Sequence, residues 1–548
     1  MEKSSFTFEE SLAILMERFP ALGLLAPTWP FTESTPEQIA PIALGNAEAL
    51  YFYGLGTGEV YFQVQQWLKA HAERELIFLE EDPGKIASFL YLPEAVAILS
   101  DPQVHLALLP KRRGREVELN LLAERLPVSR LEIGALPSYK GRRFDTLRLK
   151  LLRKTTLSHA LHLDRLHGYQ PFQNFLQNLP RLPESFYANG LKGAFAGIPA
   201  LVCGAGPSLQ KSLETIRKLE NKALIIAGGS TLAALSSQGI LPHFGMAVDP
   251  NLEEYRRLKN SFAFEVPLLY STRVFPGIFR TANGPFGYMR SGIGGVPELW
   301  IEEELGLLDP LLGEFLSAES ISVTAICLAW AQFLGCNPIL LNGVDLAYTD
   351  NKRYAAGVDG DEEVSFDGEE KSTGDWIVKR KNRQGRAVYS AVRWVMESAS
   401  ISHFARKHPE IRFINTTGGG IGFKGVEELS LEAVAEGLTE EYDLRGLVHK
   451  AITLSPMPAS TGEVIRTKVA EMKESLDRIV GYLQILAGKE RGSAALAEME
   501  LKEEMAYPYL FYDVDPVLRQ ALRWKFPEER WKRFLDLAKQ YQWMLSHS

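Results

Sequence analysis

Cysteine is scarce in this chain of 548 residues, which holds three: Cys203, Cys327 and Cys336. The number is odd and the spacing suits no metal, so a disulfide framework and a thiolate metal site are excluded. The three read as buried thiols in a reducing compartment. Neither sign of charge dominates: Lys and Arg total 60 against 68 Asp and Glu, a net charge of −8. A nucleic-acid partner is therefore not expected. The opening residues, Met1 to Glu10, lack a basic region followed by an apolar run, so no signal peptide is expected. Long apolar runs are also rare. One stretch, Ile321 to Val344, is uncharged, but Gly335, Asn337 and Pro338 break it. A helix ending at Gly335 and a buried strand from Pro338 to Leu341 explain it better than a membrane span. The expected location is cytoplasmic, with no membrane insertion. Repeats and low-complexity tracts are absent as well.

The residues present describe a globular chain, with 46% hydrophobic and 23% charged residues. The length calls for two or three domains. The expected fold is α/β: a Rossmann-like central domain, a smaller α/β N-terminal domain and a helical C-terminal region. The expected bounds are 1–145 for the N-terminal domain, 146–190 for a basic helical connector, 191–435 for the central domain and 436–548 for the helical domain.

The central domain carries the strongest local signal. Residues 199 to 250 read as strand, glycine turn, helix, strand, helix, strand. Leu201 and Val202 sit on the first strand, Gly204 and Gly206 in the turn, and Pro207 at the first helical position. Leu209, Leu213, Ile216 and Leu219 then mark one buried helix face. Strand two, Ala223 to Ala227, ends in Gly228, Gly229 and Ser230; strand three, Phe244 to Val248, ends in Asp249. These ends share the carboxyl edge, where open α/β sheets bind ligands. A glycine turn opening a helix offers backbone N–H groups to an anion such as a nucleotide phosphate. It is not a dinucleotide fingerprint, because Leu209 replaces the third glycine and strand two ends on Gly228 rather than an acid. No Walker lysine comes after it.

The N-terminal domain shows a related pattern. Ala49 to Tyr53 reads as a strand, Gly54-Leu-Gly56-Thr-Gly58 as a turn, Val60 to His71 as a helix and Glu75 to Leu79 as a strand, with Glu80, Glu81 and Asp82 directly after it. Glycines to admit a ligand and acids to hold ribose hydroxyls are what S-adenosylmethionine binding uses; a purely structural turn is the alternative. In the C-terminal region Ile465, Val469, Met472, Leu476, Ile479, Leu483 and Leu486 form a heptad seam. It can pair with a second subunit, making a homo-oligomer, or with the chain's own next helix. The tail from Tyr507 to Trp543 is dense in aromatic residues, which supply a core or a docking face.

A family resemblance rests on several pieces: Asn174-Phe-Leu-Gln-Asn178, Pro199 through Leu209, Gly239-Ile-Leu-Pro242, Val248-Asp249-Pro250, Leu334 through Tyr348, and Asn415-Thr-Thr-Gly-Gly-Gly420. In this order they resemble the central domain of the motility accessory factor family, which are flagellin glycosyltransferase-like proteins. That core is in turn similar to bacterial sialyltransferases and to a 6-hydroxymethylpterin pyrophosphokinase. The resemblance implies transfer of a nonulosonic (sialic-acid-like) sugar from a CMP-activated donor to Ser or Thr of a protein acceptor, flagellin being one such acceptor. It implies no resident cofactor. The alternatives are a pterin pyrophosphokinase using ATP and Mg²⁺, with Asp249 and Asp345 as metal ligands, or a non-catalytic nucleotide-binding scaffold. Three departures support the scaffold reading: His243 where the pattern has Asp, Tyr354 near a His-Ala position, and Gly418 in place of an acid.

The chemistry selects residues at strand ends. Gly204, Gly206, Pro207, Ser208, Ser230 and Thr231 are the expected nucleotide-binding groups at two helix starts. Asn342 and Gly343 end another strand, and Asn415, Thr416 and Thr417 open a Gly-rich loop after the strand Ile411 to Ile414; these can read a base edge or ribose, or simply form a turn. Asp249 and Asp345 are the expected catalytic acids, each with a loop cap as its bland reading. Tyr348 and Tyr354 can donate to a departing phosphate, a role the sialyltransferase resemblance supplies. His243 lies at the wrong end of its strand and His403 on a helix, where packing is expected. Asp350 to Trp376, Gly-rich and acidic, is expected to be a mobile surface loop near the site.

Overall fold

The computed structural model describes residues 2–547 apart from 111–112, 127, 129, 167–168, 260, 318–321, 359, 361, 367–370, 373–374, 512–513 and 515–528. Contacts divide the chain into two units, 1–162 with 372–376, and 163–371 with 377–548. The bounds expected at 190 and 435 fall inside the second unit. Parts of the 350–376 segment and of the aromatic tail lie outside the described residues.

The first unit is a parallel sheet of β1 (Ala49–Tyr53), β2 (Glu75–Glu80), β3 (Val104–Leu108) and β4 (Leu131–Ala135), in the order β3-β2-β1-β4. Leu50, Phe52, Leu76 and Phe78 pack with Val60, Val64 and Leu68 of the helix Glu59–Ala70. The turn between β1 and that helix needs its glycines, with φ of 97° at Gly54, 59° at Gly56 and 90° at Gly58. It is filled by the protein itself. A Cβ on Gly56 would meet the Glu59 carboxylate at 2.7 Å, and one on Gly58 would meet Ile98 at 2.3 Å. The three acids after β2 are also committed. Glu80 accepts from the amides of Leu55, Glu81 and Asp82 and from the Tyr139 hydroxyl. Glu81 pairs with Arg115 and Arg143, and Asp82 caps the helix Pro83–Phe89. Each of the three carboxylates is engaged within the protein, an arrangement that supports the structural turn over the S-adenosylmethionine site.

The second unit is built on β5 (Phe186–Tyr187), β6 (Ala200–Cys203), β7 (Leu224–Gly228), β8 (Phe244–Ala247), β9 (Leu268–Tyr270), β10 (Phe286–Tyr288) and β11 (Ile339–Asn342). A small separate sheet comes next in the chain, β12 (Lys371–Ser372), β13 (Asp375–Lys381) and β14 (Ala387–Ala391), and then β15 (Phe413–Asn415) and β16 (Glu427–Glu428) complete the large one. The large sheet is parallel, in the order β16-β15-β11-β6-β7-β8-β9-β10-β5. Its strands are apolar on both sides because helices cover both faces. Leu201, Cys203, Ile225 and Ala227 point into one core, and Ala200, Val202, Leu224 and Ile226 into the other. The chain is therefore α/β and Rossmann-like, as its pattern implies. All three cysteines are buried and unpaired. Among the described residues no helix is long and apolar enough to cross a membrane.

Strand order reverses at β6, whose neighbours are β7 on one side and β11 on the other. The loops leaving β6 and β11 must diverge there, and this switch point is where such sheets open a crevice.

The C-terminal helices belong to the same core. Ile465, Met472, Leu476, Ile479 and Leu483 of the helix Thr461–Leu486 pack with Phe172, Phe175, Tyr507, Phe511, Phe534 and Tyr541. Of the two pairings open to the heptad seam, a second subunit or the chain's own helices, the structure shows the second: its buried residues pack within the chain. The aromatic tail likewise resolves as core where it is described: Phe511 and Phe534 are fully buried, although Trp543 is exposed.

Candidate functional site

The loops at the carboxyl ends of β6, β7, β8 and β11 enclose a cavity of about 390 Å³. Gly204, Gly206, Ser230, Thr231, Asp249, Gly343 and Asp345 line it, so seven of the sequence-selected residues converge. The volume falls within the range of small-molecule sites.

The glycine turn does not work as expected. The Gly204 amide donates to the Asn342 carbonyl at 2.8 Å and the Gly206 amide to the Gly343 carbonyl at 2.8 Å. Pro207 has no N–H, and the Ser208 amide points at Asp345. The turn therefore stitches β6 to β11 across the switch point, and its Gly204 and Gly206 amides are taken by that join. It leads into a short 3₁₀ turn, Pro207–Ser212, and then the helix Leu213–Lys218, although Leu209, Leu213, Ile216 and Leu219 are all buried as the periodicity implies. The glycines are needed for close approach. A Cβ on Gly206 would lie 2.2 Å from the Asp345 carboxylate and 2.6 Å from the Gly343 carbonyl. Gly206→Val is expected to force these loops apart, at a cost of about 1–3 kcal/mol. Thermal melting checks it: a midpoint equal to wild type would show that the turn has slack.

Asp345 is a clamp. Its Oδ1 accepts from the Ser208 hydroxyl at 2.6 Å, and its carbonyl accepts from the Ile421 amide at 3.0 Å. Gly419 and Gly420 press against it from the loop after β15. Burial raises its pKa, while hydrogen bonds from the Ser208 hydroxyl and amide pull the other way.

Asn342, Thr416 and Thr417 stand behind the cavity wall, bonded to one another. Asn342 Nδ2 donates to the Thr416 carbonyl at 2.9 Å, Thr416 donates to the Leu341 carbonyl at 2.9 Å, and the Val344 amide donates to the Thr417 hydroxyl. Asn415 Oδ1 accepts from the Thr417 amide at 3.1 Å, an Asx turn. These four side chains latch β11 to β15, which is the simple-turn reading. Thr416 also borders a second hollow of about 340 Å³ with Ser212 and Arg383.

Asp249 is different. No side-chain hydrogen bond engages its carboxylate among the described residues; it faces Arg273 and Arg257 across a partly buried space. Burial raises its pKa and the two arginines lower it. The loop that carries it is fixed from behind: Asn174 Nδ2 donates to the carbonyls of Pro250 and Arg273, each at 2.9 Å. Asn178 does the same for Thr272 and Val274.

Tyr348 lies outside the cavity wall, in an aromatic group with Phe366 and Trp394 at ring separations of 4.7 and 4.9 Å. Tyr354 lines the cavity instead. His243 is buried at the amino end of β8, its Nδ1 accepting from the Ile225 amide, and burial lowers its pKa to about 4. His403, expected to pack, is exposed. The described part of the 350–376 segment is laid over the site: the Ala355 amide donates to the Ala205 carbonyl at 2.8 Å, and Ala355 and Val358 are buried.

Sequence reading missed Arg257, Arg353, Arg393, Trp394 and Glu397, all on the cavity wall. Only the Arg353-Tyr354 pair had a local signal, lying in the segment already placed near the site. Glu397 accepts a hydrogen bond from Ser322, and burial raises its pKa to about 7. An acid whose folded pKa is raised binds its proton more tightly folded than unfolded. Its stability contribution is full below about 4.5, falls as pH rises toward 7, and is flat above. Glu397→Gln should therefore be more stable than wild type at pH 8, by roughly 2–3 kcal/mol, and equal to it at pH 4. Equal melting midpoints at both pH values would contradict this ionisation.

The fold and cavity define an α/β protein with a cavity at a parallel-sheet switch point, lined by arginines and carboxylates. Residues 173–351 match the family model described as 6-hydroxymethylpterin diphosphokinase MptE-like. That span holds β6 to β11 and most of the cavity. The chain is also similar to a solved structure, that of MAf glycosyltransferase from Magnetospirillum magneticum AMB-1, at 14% identity over 99% of this chain and 95% of that one, with a TM-score of 0.48. No curated protein matches.

Proposed function

We propose that the chain is a glycosyltransferase that moves a nonulosonic sugar from a CMP-activated donor to a Ser or Thr hydroxyl of a protein acceptor. The observation that carries the reading is the pairing of one uncommitted carboxylate, Asp249, with an arginine-lined cavity at the switch point. The acceptor oxygen attacks the anomeric carbon, the bond from that carbon to the phosphate oxygen breaks, and CMP leaves with the electron pair. Asp249 takes the acceptor proton; burial raises its affinity for a proton, while Arg273 and Arg257 favour its charged form. Ser230 and Thr231 open a helix whose first amides have no intrahelical partner, so they suit the nucleotide. Asp345 positions the loops, and of the two tyrosines able to donate to the departing phosphate, Tyr348 and Tyr354, the role falls to Tyr354, which lines the cavity. The sugar and acceptor classes come from the sequence resemblance. Release of CMP from CMP-activated nonulosonic donors, with and without peptide acceptors, tests the reading; no release from any such donor overturns it.

The diphosphokinase description of the matching family supports a second reading, with ATP, Mg²⁺ and a pterin. It requires Asp249 and Asp345 as joint metal ligands. Asp345 is 1% exposed with Oδ1 held by Ser208, and among the described residues no group of three or more His, Cys, Asp or Glu side chains gathers to hold a metal ion, so no step is derived through magnesium.

A further inference from the structure

We infer that the ligand's phosphate is held by an arginine–tyrosine clamp, Arg257 and Arg353 around Tyr354, rather than by the Gly204 and Gly206 amides. The inference rests on the nucleotide reading above and names the subsite within it. Four observations converge on it. The Gly204 and Gly206 amides are spent on the carbonyls of Asn342 and Gly343 and have nothing to give a phosphate. Arg353 Nε is buried with no hydrogen-bond partner among the described residues, a donor whose desolvation is uncompensated until a ligand arrives. The guanidinium carbons of Arg353 and Arg257 lie 5.0 and 6.0 Å from the centre of the Tyr354 ring, so the two forks are gathered at one place on the cavity wall. The charged groups facing the cavity are Arg257, Arg353, Arg393, Asp249, Asp345 and Glu397. Burial raises the pKa of each acid, while the three guanidinium groups stay charged and supply donors for an anion.

The clamp is preorganised. Arg353 and Tyr354 sit on the segment tied down by the bond from Ala355 to Ala205, and Asp350 of the same segment pairs with Lys211 at 3.1 Å. Arg257 comes from the helix Leu252–Lys259, which starts three residues after Asp249. The same helix thus links the phosphate to the proposed base. The ligand class is a phosphate ester of a nucleotide, which guanidinium forks hold bidentately.

Calorimetric titration with CMP, cytidine and ATP with Mg²⁺ tests the clamp in wild type, Arg257→Gln, Arg353→Gln and Arg353→Lys. The expected result is that CMP weakens by about tenfold or more in both glutamine variants, with cytidine unchanged. Arg353→Lys keeps the charge and guards against a folding artefact; it should lie between wild type and Arg353→Gln. Unchanged CMP affinity in all variants overturns the clamp and leaves the nucleotide site standing. Binding of ATP with Mg²⁺ but not CMP, lost in the glutamine variants, upholds the clamp and overturns the transferase reading. Wild type that binds none of the three overturns both.

Discussion

A chain cut after residue 440 will not fold. The helices beyond that point share one core with the sheet's own helices, through Phe172 against Tyr541 and through Met472, Leu476 and Ile479. They also complete the edge of the sheet. The Tyr187 amide of β5 donates to the Ser455 carbonyl at 2.7 Å, and the Ser455 hydroxyl donates to the Tyr187 carbonyl at 2.7 Å. Each large buried side chain lost or uncovered costs about 1.5–3 kcal/mol. A handful of them exceeds the roughly 5–15 kcal/mol that holds a typical domain together. Solubility and circular dichroism of the truncated chain check this. A soluble product that melts cooperatively would mean the sheet carries its own core, as the sequence alone implied with a boundary at 435.

Asp249→Asn should lose turnover by about a hundredfold or more, the usual contribution of a positioned base, while CMP binding stays within a few-fold of wild type. Among the described residues no donor bonds the carboxylate, so the amide replaces it without breaking a structural bond. Asp345→Asn should behave in the opposite way. Its carboxylate accepts from the Ser208 amide and hydroxyl and so ties the loop after β6 to the loop after β11, and the variant loses melting temperature and nucleotide affinity together. Steady-state rates and titrations on both variants separate the base from the clamp. Full turnover in Asp249→Asn would remove it from the mechanism.

Much of the fold is written locally. β1 matches its expected bounds, and β7, β8 and β11 start or end within a residue of theirs, because buried parallel strands are short apolar runs bounded by glycine or proline. Residues converge on the cavity for the same reason: strand ends in a parallel sheet share an edge. What the sequence could not show is who bonds to whom across the switch point. The Gly204 turn looks like a phosphate cradle until β11, some 135 residues later, is placed against it. The seam from Ile465 to Leu486 reads equally well as a dimer face or an internal one, since periodicity specifies a face and not its partner. Arg257, Arg393 and Glu397 carry no motif, and only the fold brings them to one wall.

Amide hydrogen exchange with and without saturating CMP tests most directly whether the switch-point cavity is the nucleotide site. Protection is expected at residues 228–231 and 349–358, where the second strand end and the arginine-bearing segment border the cavity, with none at 54–59 in the first unit. Protection confined to 54–59, or none in either region at saturating CMP, would contradict it.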